Sequence, residues 1–205
     1  AKIDIVGGGQ RACGPGDVGV GSETRRPVRR ARVGRLAGRV AATAANLYEQ
    51  SKKGWAFTSE LSRLILDWAA RLHEIGLDIS HDGYQRHGAY IAAHADLPGF
   101  PRAEQRLLAF LIGSQRHNIN TRFQRVLPRG WREAAMRLAL VLRLAVLLNR
   151  SRSEVDLPPI VMRVDGKSLA LKFDATWLAA NPLTAADLER EIEYVRAAGY
   201  ELSFS

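Results

Sequence analysis

From Trp131 to Arg150 the chain sets Met136, Leu138, Leu140, Val141, Leu144, Val146, Leu147 and Leu148 on nearly every side of one helical pattern. A helix that is apolar all round has to be covered all round, so the other segments must supply the walls of a helical core. They have the pattern for it. Leu36, Val40, Thr43, Ala44 and Leu47 follow the three-and-four spacing of a helix face, which Gly54 ends. After Thr58-Ser59-Glu60, the residues Leu61, Leu64, Ile65, Trp68, Ala69, Leu72 and Ile75 line one side of a second helix, closed by Gly76. A third helix is expected from Gly83 to His94 and, beyond a turn with two prolines, a fourth from Arg102 to Arg116. Residues 123–130 read as a connection. The fold class is mainly α.

After Asn149 the character changes. Pro158-Pro159 introduces IVMRV, Asp165-Gly166 reads as a two-residue turn, and SLALKF alternates after it, which is a hairpin signal. Thr184 starts a helix carrying Leu188, Ile192 and Val195, Gly199 stops it, and YELSFS supplies a last strand. The expected organisation is an irregular Gly/Arg-rich arm over 1–35, a helical domain over 36–150, and a small α+β C-terminal domain over 151–205. One cysteine, Cys13, excludes an internal disulfide framework. No apolar run approaches the roughly 20 residues of a membrane helix, and the first ten residues lack a signal-like apolar stretch, so the cytoplasm is the expected compartment.

Two clusters carry the chemistry. Four of the five histidines, His73, His81, His87 and His94, gather beside Glu74, Asp78 and Asp82. Imidazole and carboxylate together pose the question of a metal site. His73 and Glu74 close an apolar helix in the layout of the HD phosphohydrolases, whose core supplies an early His, a His-Asp pair and a late Asp. Here Leu36 and Val146 stand at the first and last of those places, and Glu74 replaces the Asp. His87 and His94, seven apart, read as sharing a helix face about 10 Å apart along the axis, too far to share an ion. His73 and Glu74 thus read as a degenerate HD-like site, the histidines as structural, and no metal or cofactor is expected in this portion.

The second cluster is cationic. The net charge of +9 matches the excess between Arg102 and Arg152, where eleven arginines meet only Glu104 and Glu133. The planar guanidinium suits phosphate oxygens. A groove holding Arg116, His117, Arg122, Arg125 and Arg129 would bind a polyanion through charge and counterion release. Arg132, Arg137 and Arg143 read as the wet face of the long helix. A nucleic-acid module would use the same arginines, but only Phe123 and Trp131 are aromatic nearby, and no stacking series interleaves the run.

The elements LHEIG, SHDGYQRHGAYI and DLPGF, with AEQRLLAFLI, QRHN, LRLAVLLNRSR and LKFDATWL, resemble the C-terminal part of the exopolyphosphatase and guanosine-pentaphosphate phosphohydrolase (Ppx/GppA) family from about Arg39 to Phe204. The resemblance implies an HD-like helical domain that binds substrate and dimerises, followed by an α+β end. It implies also that the Mg²⁺-dependent cleavage of phosphoanhydrides belongs to an N-terminal actin-like module, nearly all of it missing from this sequence. AKIDIVGGG reads as a flexible turn or a remnant of that module's last glycine motif. Residues 10–35 depart from the family's pattern and suggest a truncated or frameshifted product. The expectation is the polyphosphate-binding, dimerising portion of an exopolyphosphatase-type hydrolase, inactive alone, with polyphosphate or guanosine pentaphosphate as partner. An autonomous HD-type metal-dependent phosphohydrolase and a basic nucleic-acid-binding module remain the alternatives.

Overall fold

The computed structural model describes residues 25–119, 121–150 and 157–205, with the backbone alone for 25–33 and 122. The helical part comprises α1 (Arg25–Ser51), α2 (Glu60–Leu72), α3 (Tyr84–His94), α4 (Arg102–Ser114), the single turn α5 (Thr121–Gln124) and α6 (Arg132–Leu148), with 3₁₀ turns at Ile75–Asp78 and Arg129–Trp131. As its pattern demands, α6 is central: every residue from Leu138 to Asn149 is buried. It packs against α1, α2 and α4. Burying each of its leucines contributes about 1.5–3 kcal/mol. The amphipathic faces around it match their spacing. On α1 the buried residues are Ala37, Val40, Ala41, Ala44, Leu47, Tyr48 and Ser51, and on α2 they are Ile65, Leu66, Ala69 and Ala70.

Several boundaries differ from expectation: α2 ends at Leu72 rather than carrying Ile75 to Gly76, and the helix expected from Thr184 starts at Pro182. α1 starts at Arg25 rather than Leu36, so residues 25–35 are helical and not part of an arm. Pro27 lies in the first turn, where a missing N–H costs nothing, and a Cβ on Gly34 or Gly38 would meet open space. α4 stops at Ser114, which leaves Arg116 and His117 in the following turn. The connection after Phe123 is preceded by the short α5, which the pattern did not announce. The readings of residues 1–24 as remnant or frameshift, and the stretch 151–156, lie outside the described residues.

The C-terminal part holds β1 (Val161–Asp165), β2 (Ser168–Lys172), α7 (Ala175–Ala180), α8 (Pro182–Ala197) and β3 (Glu201–Phe204). β1 and β2 form the expected antiparallel hairpin, but its loop residues are Gly166 and Lys167, because Asp165 pairs with Ser168. Gly166 takes the positive φ of 52° that such a turn requires. β3 returns beside β2 in parallel after the two helices, giving the order β1-β2-β3. α7 escaped the sequence reading although Asp174 caps it, accepting from the Thr176 and Trp177 backbone N–H groups.

The sheet does not stand apart from the helices. Met162, Leu169, Leu171 and Leu202 join Leu188 and Val195 of α8 in the same hydrophobic core as α1 and α6. Gln50 of α1 donates from Nε2 to the Ile160 carbonyl (2.9 Å) and accepts at Oε1 from the Met162 N–H (2.7 Å). Trp55 Nε1 donates to the Gly166 carbonyl at 2.9 Å. Beside it, Gly54 lies so close to β1 that a Cβ would stand 2.5 Å from the Val164 carbonyl oxygen.

Candidate anion-binding site

Close backbone packing fixes the frame of the site. A Cβ on Gly76 would lie 2.0 Å from the Tyr84 carbonyl oxygen, so only glycine lets the 3₁₀ turn seat against the first turn of α3. At the other end of α3, Gln105 Nε2 of α4 donates to the Ala95 carbonyl at 2.7 Å. α3 and α4 are thereby held side by side, and the turn after α4 closes the space between them.

That space is a cleft of about 640 Å³. Ala89 and Ala93 of α3 form one wall with Ala109, Phe110 and Gly113 of α4 opposite, and Phe123 of α5 lies at the end. The polar groups come from three places. Asp82, Gln85, Arg86, Tyr90 and His94 come from α3 and its approach, Ser114 from α4, and Arg116, His117 and Asn118 from the turn. Arg86, Tyr90 and His94 recur every four residues, which places them along one helix face. The Tyr90 and His94 rings lie 4.4 Å apart.

The charge is unbalanced. Among the described residues, Asp82 is the one carboxylate in the lining, and neither Arg86 nor Arg116 is ion-paired. The Arg116 guanidinium lies over the Tyr84 ring, 5.5 Å from its centroid, and its Nε is buried without a partner among the described residues. His117 adopts φ 56°, a left-handed conformation uncommon for a residue with a β-carbon. Partial burial of the ring, then the guanidiniums of Arg116, Arg150, Arg143 and Arg86, hold its imidazole below the usual histidine range. It is therefore neutral at pH 7, poised to gain a proton when an anion arrives.

Arg143 corrects the wet-face reading. It is 1% exposed, and its Nε and Nη2 donate to the two carboxylate oxygens of Glu191 on α8, at 2.5 and 2.9 Å. Arg137 is half-buried, donating to the Trp55 carbonyl and pairing with Glu133. Arg132 turns back onto the Leu127 and Arg125 carbonyls. None of the three is a freely solvated charge.

The sequence-derived polyanion candidates divide. Arg116 and His117 line the cleft, whereas Arg125 and Arg129 are exposed outside its lining. Arg122 has only its backbone, in α5, within the described residues. Arg86, Tyr90 and His94 were missed as site residues. Their four-residue spacing was the available signal. The structure splits the pair His87 and His94, with His94 in the lining and His87 outside it.

The HD-like corner lies elsewhere and has another use. His73 is 2% exposed, and its Nδ1 donates to the Ala70 carbonyl at 2.7 Å, which assigns the proton to that nitrogen. Burial pushes its pKa down, so the ring is neutral. Its own carbonyl accepts from Gln115 Nε2 at 2.5 Å, which ties the end of α2 to the turn beyond α4. Val146 is buried in the core and Leu36 packs against it. Among the described residues, no three His, Cys, Asp or Glu side chains gather as a metal would require. A divalent cation does not fit the donors at His73 and Glu74. The cleft, by contrast, has the means to hold phosphate oxygens.

Comparison with known proteins agrees with this architecture. Residues 34–192 match the family described as Ppx/GppA phosphatase, domain III. The guanosine-5'-triphosphate,3'-diphosphate pyrophosphatase of Aeromonas hydrophila subsp. hydrophila is 33% identical over 162 residues, covering 79% of this chain and 33% of the relative. The protein of the same name from Vibrio parahaemolyticus is 34% identical over 166 residues, covering 81% and 33%. That of Vibrio campbellii is 35% identical over 165 residues, covering 80% and 33%. The chain thus spans about a third of the length of these curated relatives. With the match to domain III extending from α1 into α8, this chain belongs to the Ppx/GppA phosphatase family.

Proposed function

We propose that this chain is the substrate-holding part of a Ppx/GppA hydrolase, and that the cleft between α3 and α4 binds a polyphosphorylated substrate for phosphoanhydride cleavage performed elsewhere. The observation that supports this most is the pair of guanidiniums, Arg86 and Arg116, at a cleft whose described lining offers one carboxylate. Both guanidinium forks can engage phosphate oxygens bidentately, and the neutral His117 adds a donor that strengthens on protonation. Polyphosphate is the substrate class we favour. Guanosine pentaphosphate stands beside it, because the relatives carry guanosine-5'-triphosphate,3'-diphosphate pyrophosphatase in their names. Dimerisation and a cytoplasmic location belong to the same reading. The Mg²⁺ chemistry implied by the family is assigned to the actin-like module, since the donors at His73 and Glu74 do not suit it.

Competition binding tests the reading. Polyphosphate and guanosine pentaphosphate should each displace a DNA strand of matched charge from the purified chain, and Arg86→Ala with Arg116→Ala should weaken them. Tighter binding of DNA, or indifference to both substitutions, would overturn the assignment. The chain alone should release no phosphate from polyphosphate in a metal-supplemented assay; turnover would restore the HD-type hydrolase.

A further inference from the structure

The turn that presents Arg116 and His117 is held from behind by one side chain. Arg143 projects from the central helix, and its Nη1 donates to the Ser114 carbonyl at 2.6 Å and to the His117 carbonyl at 2.7 Å. Ser114 ends α4, where backbone carbonyls lack intrahelical donors, so Arg143 caps α4 from another helix. The second bond grips the residue in the left-handed conformation, a state that persists only where its surroundings over-determine it. The remaining guanidinium nitrogens, Nε and Nη2, are occupied by Glu191, and the Tyr194 ring lies 5.3 Å from the guanidinium carbon. Both Glu191 and Tyr194 belong to α8.

We propose that Arg143, oriented by Glu191, is a positioning residue for anion binding, so that the C-terminal α+β part shapes a site to which none of its described residues contributes lining. This rests on the cleft being the polyanion site. Glu191 takes two of the guanidinium's donor nitrogens and leaves Nη1 directed at the two carbonyls. A turn free of that grip relaxes out of the left-handed state and carries Arg116 and His117 out of register with Arg86. A single phosphate chain then cannot engage all three groups together.

Glu191→Gln alone strands a buried cation and is prone to unfold the chain, so the decisive variant replaces both partners. Arg143→Met with Glu191→Leu removes the two buried charges together, a change that buried pairs tolerate, while deleting the carbonyl clamp. Two quantities are read on the wild type and this double variant: polyphosphate affinity at several salt concentrations, and amide hydrogen exchange at residues 115–118. The clamp predicts a cooperatively folded variant with faster exchange at those amides. Its affinity should be about tenfold weaker and its salt dependence shallower, as a lost phosphate contact requires. A folded variant with unchanged exchange, affinity and salt slope would refute the clamp. A double variant that cannot fold would refute it equally, by showing that the pair is needed for the core itself. Should wild type fail to bind polyphosphate while the variant's turn still loosens, the cleft assignment falls and the positioning of the turn by Arg143 stands.

Discussion

Helices α2 and α4 end side by side, each followed within three residues by a histidine, and the two ends have opposite fates. At the end of α2, His73 is enclosed, neutral, and committed through Nδ1 to a helix carbonyl. At the end of α4, His117 is exposed in a turn surrounded by guanidiniums. Burial lowers both rings' affinity for protons, but only at His117 do neighbouring cations add to the effect. The difference teaches that a histidine's chemistry is set by what closes over the helix end. An enclosed ring serves folding, whereas a ring left open beside Arg86 and Arg116, which have no ion-pair partner among the described residues, is available to a ligand.

Substitution of the two ends should separate these roles, and the largest effect is expected at the closed one. His73→Ala leaves a cavity and an unpaired Ala70 carbonyl, and should lower unfolding free energy by about 2–4 kcal/mol in denaturant titration while leaving polyanion affinity unchanged. Lost binding in a still-folded His73→Ala chain would break the contrast. The open end should behave in reverse. Arg86→Ala with Arg116→Ala should cost under about 1 kcal/mol of stability. The same pair should weaken polyphosphate binding about 100-fold at low salt, and reduce the salt slope by about one per arginine.

Titration sharpens the same contrast. The unfolded chain takes up a proton at His73 near pH 6.5, which the folded chain resists because burial depresses the ring's pKa. Stability is therefore full above pH 6.5 and is lost as pH falls towards the lowered folded value, a slope that His73→Leu should flatten. At His117 a bound polyanion favours the protonated ring, so affinity should rise about 3-fold from pH 8 to pH 6. His117→Asn should abolish that rise. The smallest effect lies away from both ends: Ala56, exposed with φ 51°, carries left-handed strain. Ala56→Gly should stabilise the chain by about 0.5–1 kcal/mol in thermal unfolding without touching the cleft.

Much of the fold was legible because local patterns are self-contained. The all-round apolar run of α6 announced a central helix, and alternation around Asp165-Gly166 announced the hairpin to within one residue. What stayed hidden depended on distant partners. Arg143 sits on α6 like a surface charge, and only Glu191, 48 residues on, makes its burial affordable. The start of α1 was hidden because Pro27 and Gly34 read as breakers, although a first turn accepts proline and an exposed helix glycine costs only about 1 kcal/mol. Of the site, Arg116 and His117 were visible in the basic run. Arg86 was not, since its relevance comes from α3 lying against α4 rather than from its neighbours in sequence.

The side chain of Gln50 has a consequence for how the chain behaves among its own copies. A glutamine amide sets an N–H and a carbonyl oxygen side by side as a peptide group does; here Nε2 donates to the carbonyl of Ile160 as well as to Asn46 Oδ1, and Oε1 accepts from the N–H of Met162. Those backbone groups are the ones that an incoming strand would seek on the free side of β1. On that edge Gln50 therefore fills the place of a pairing strand one residue long. Gln50→Ala would unmask the edge, with a tendency to aggregate as the visible result.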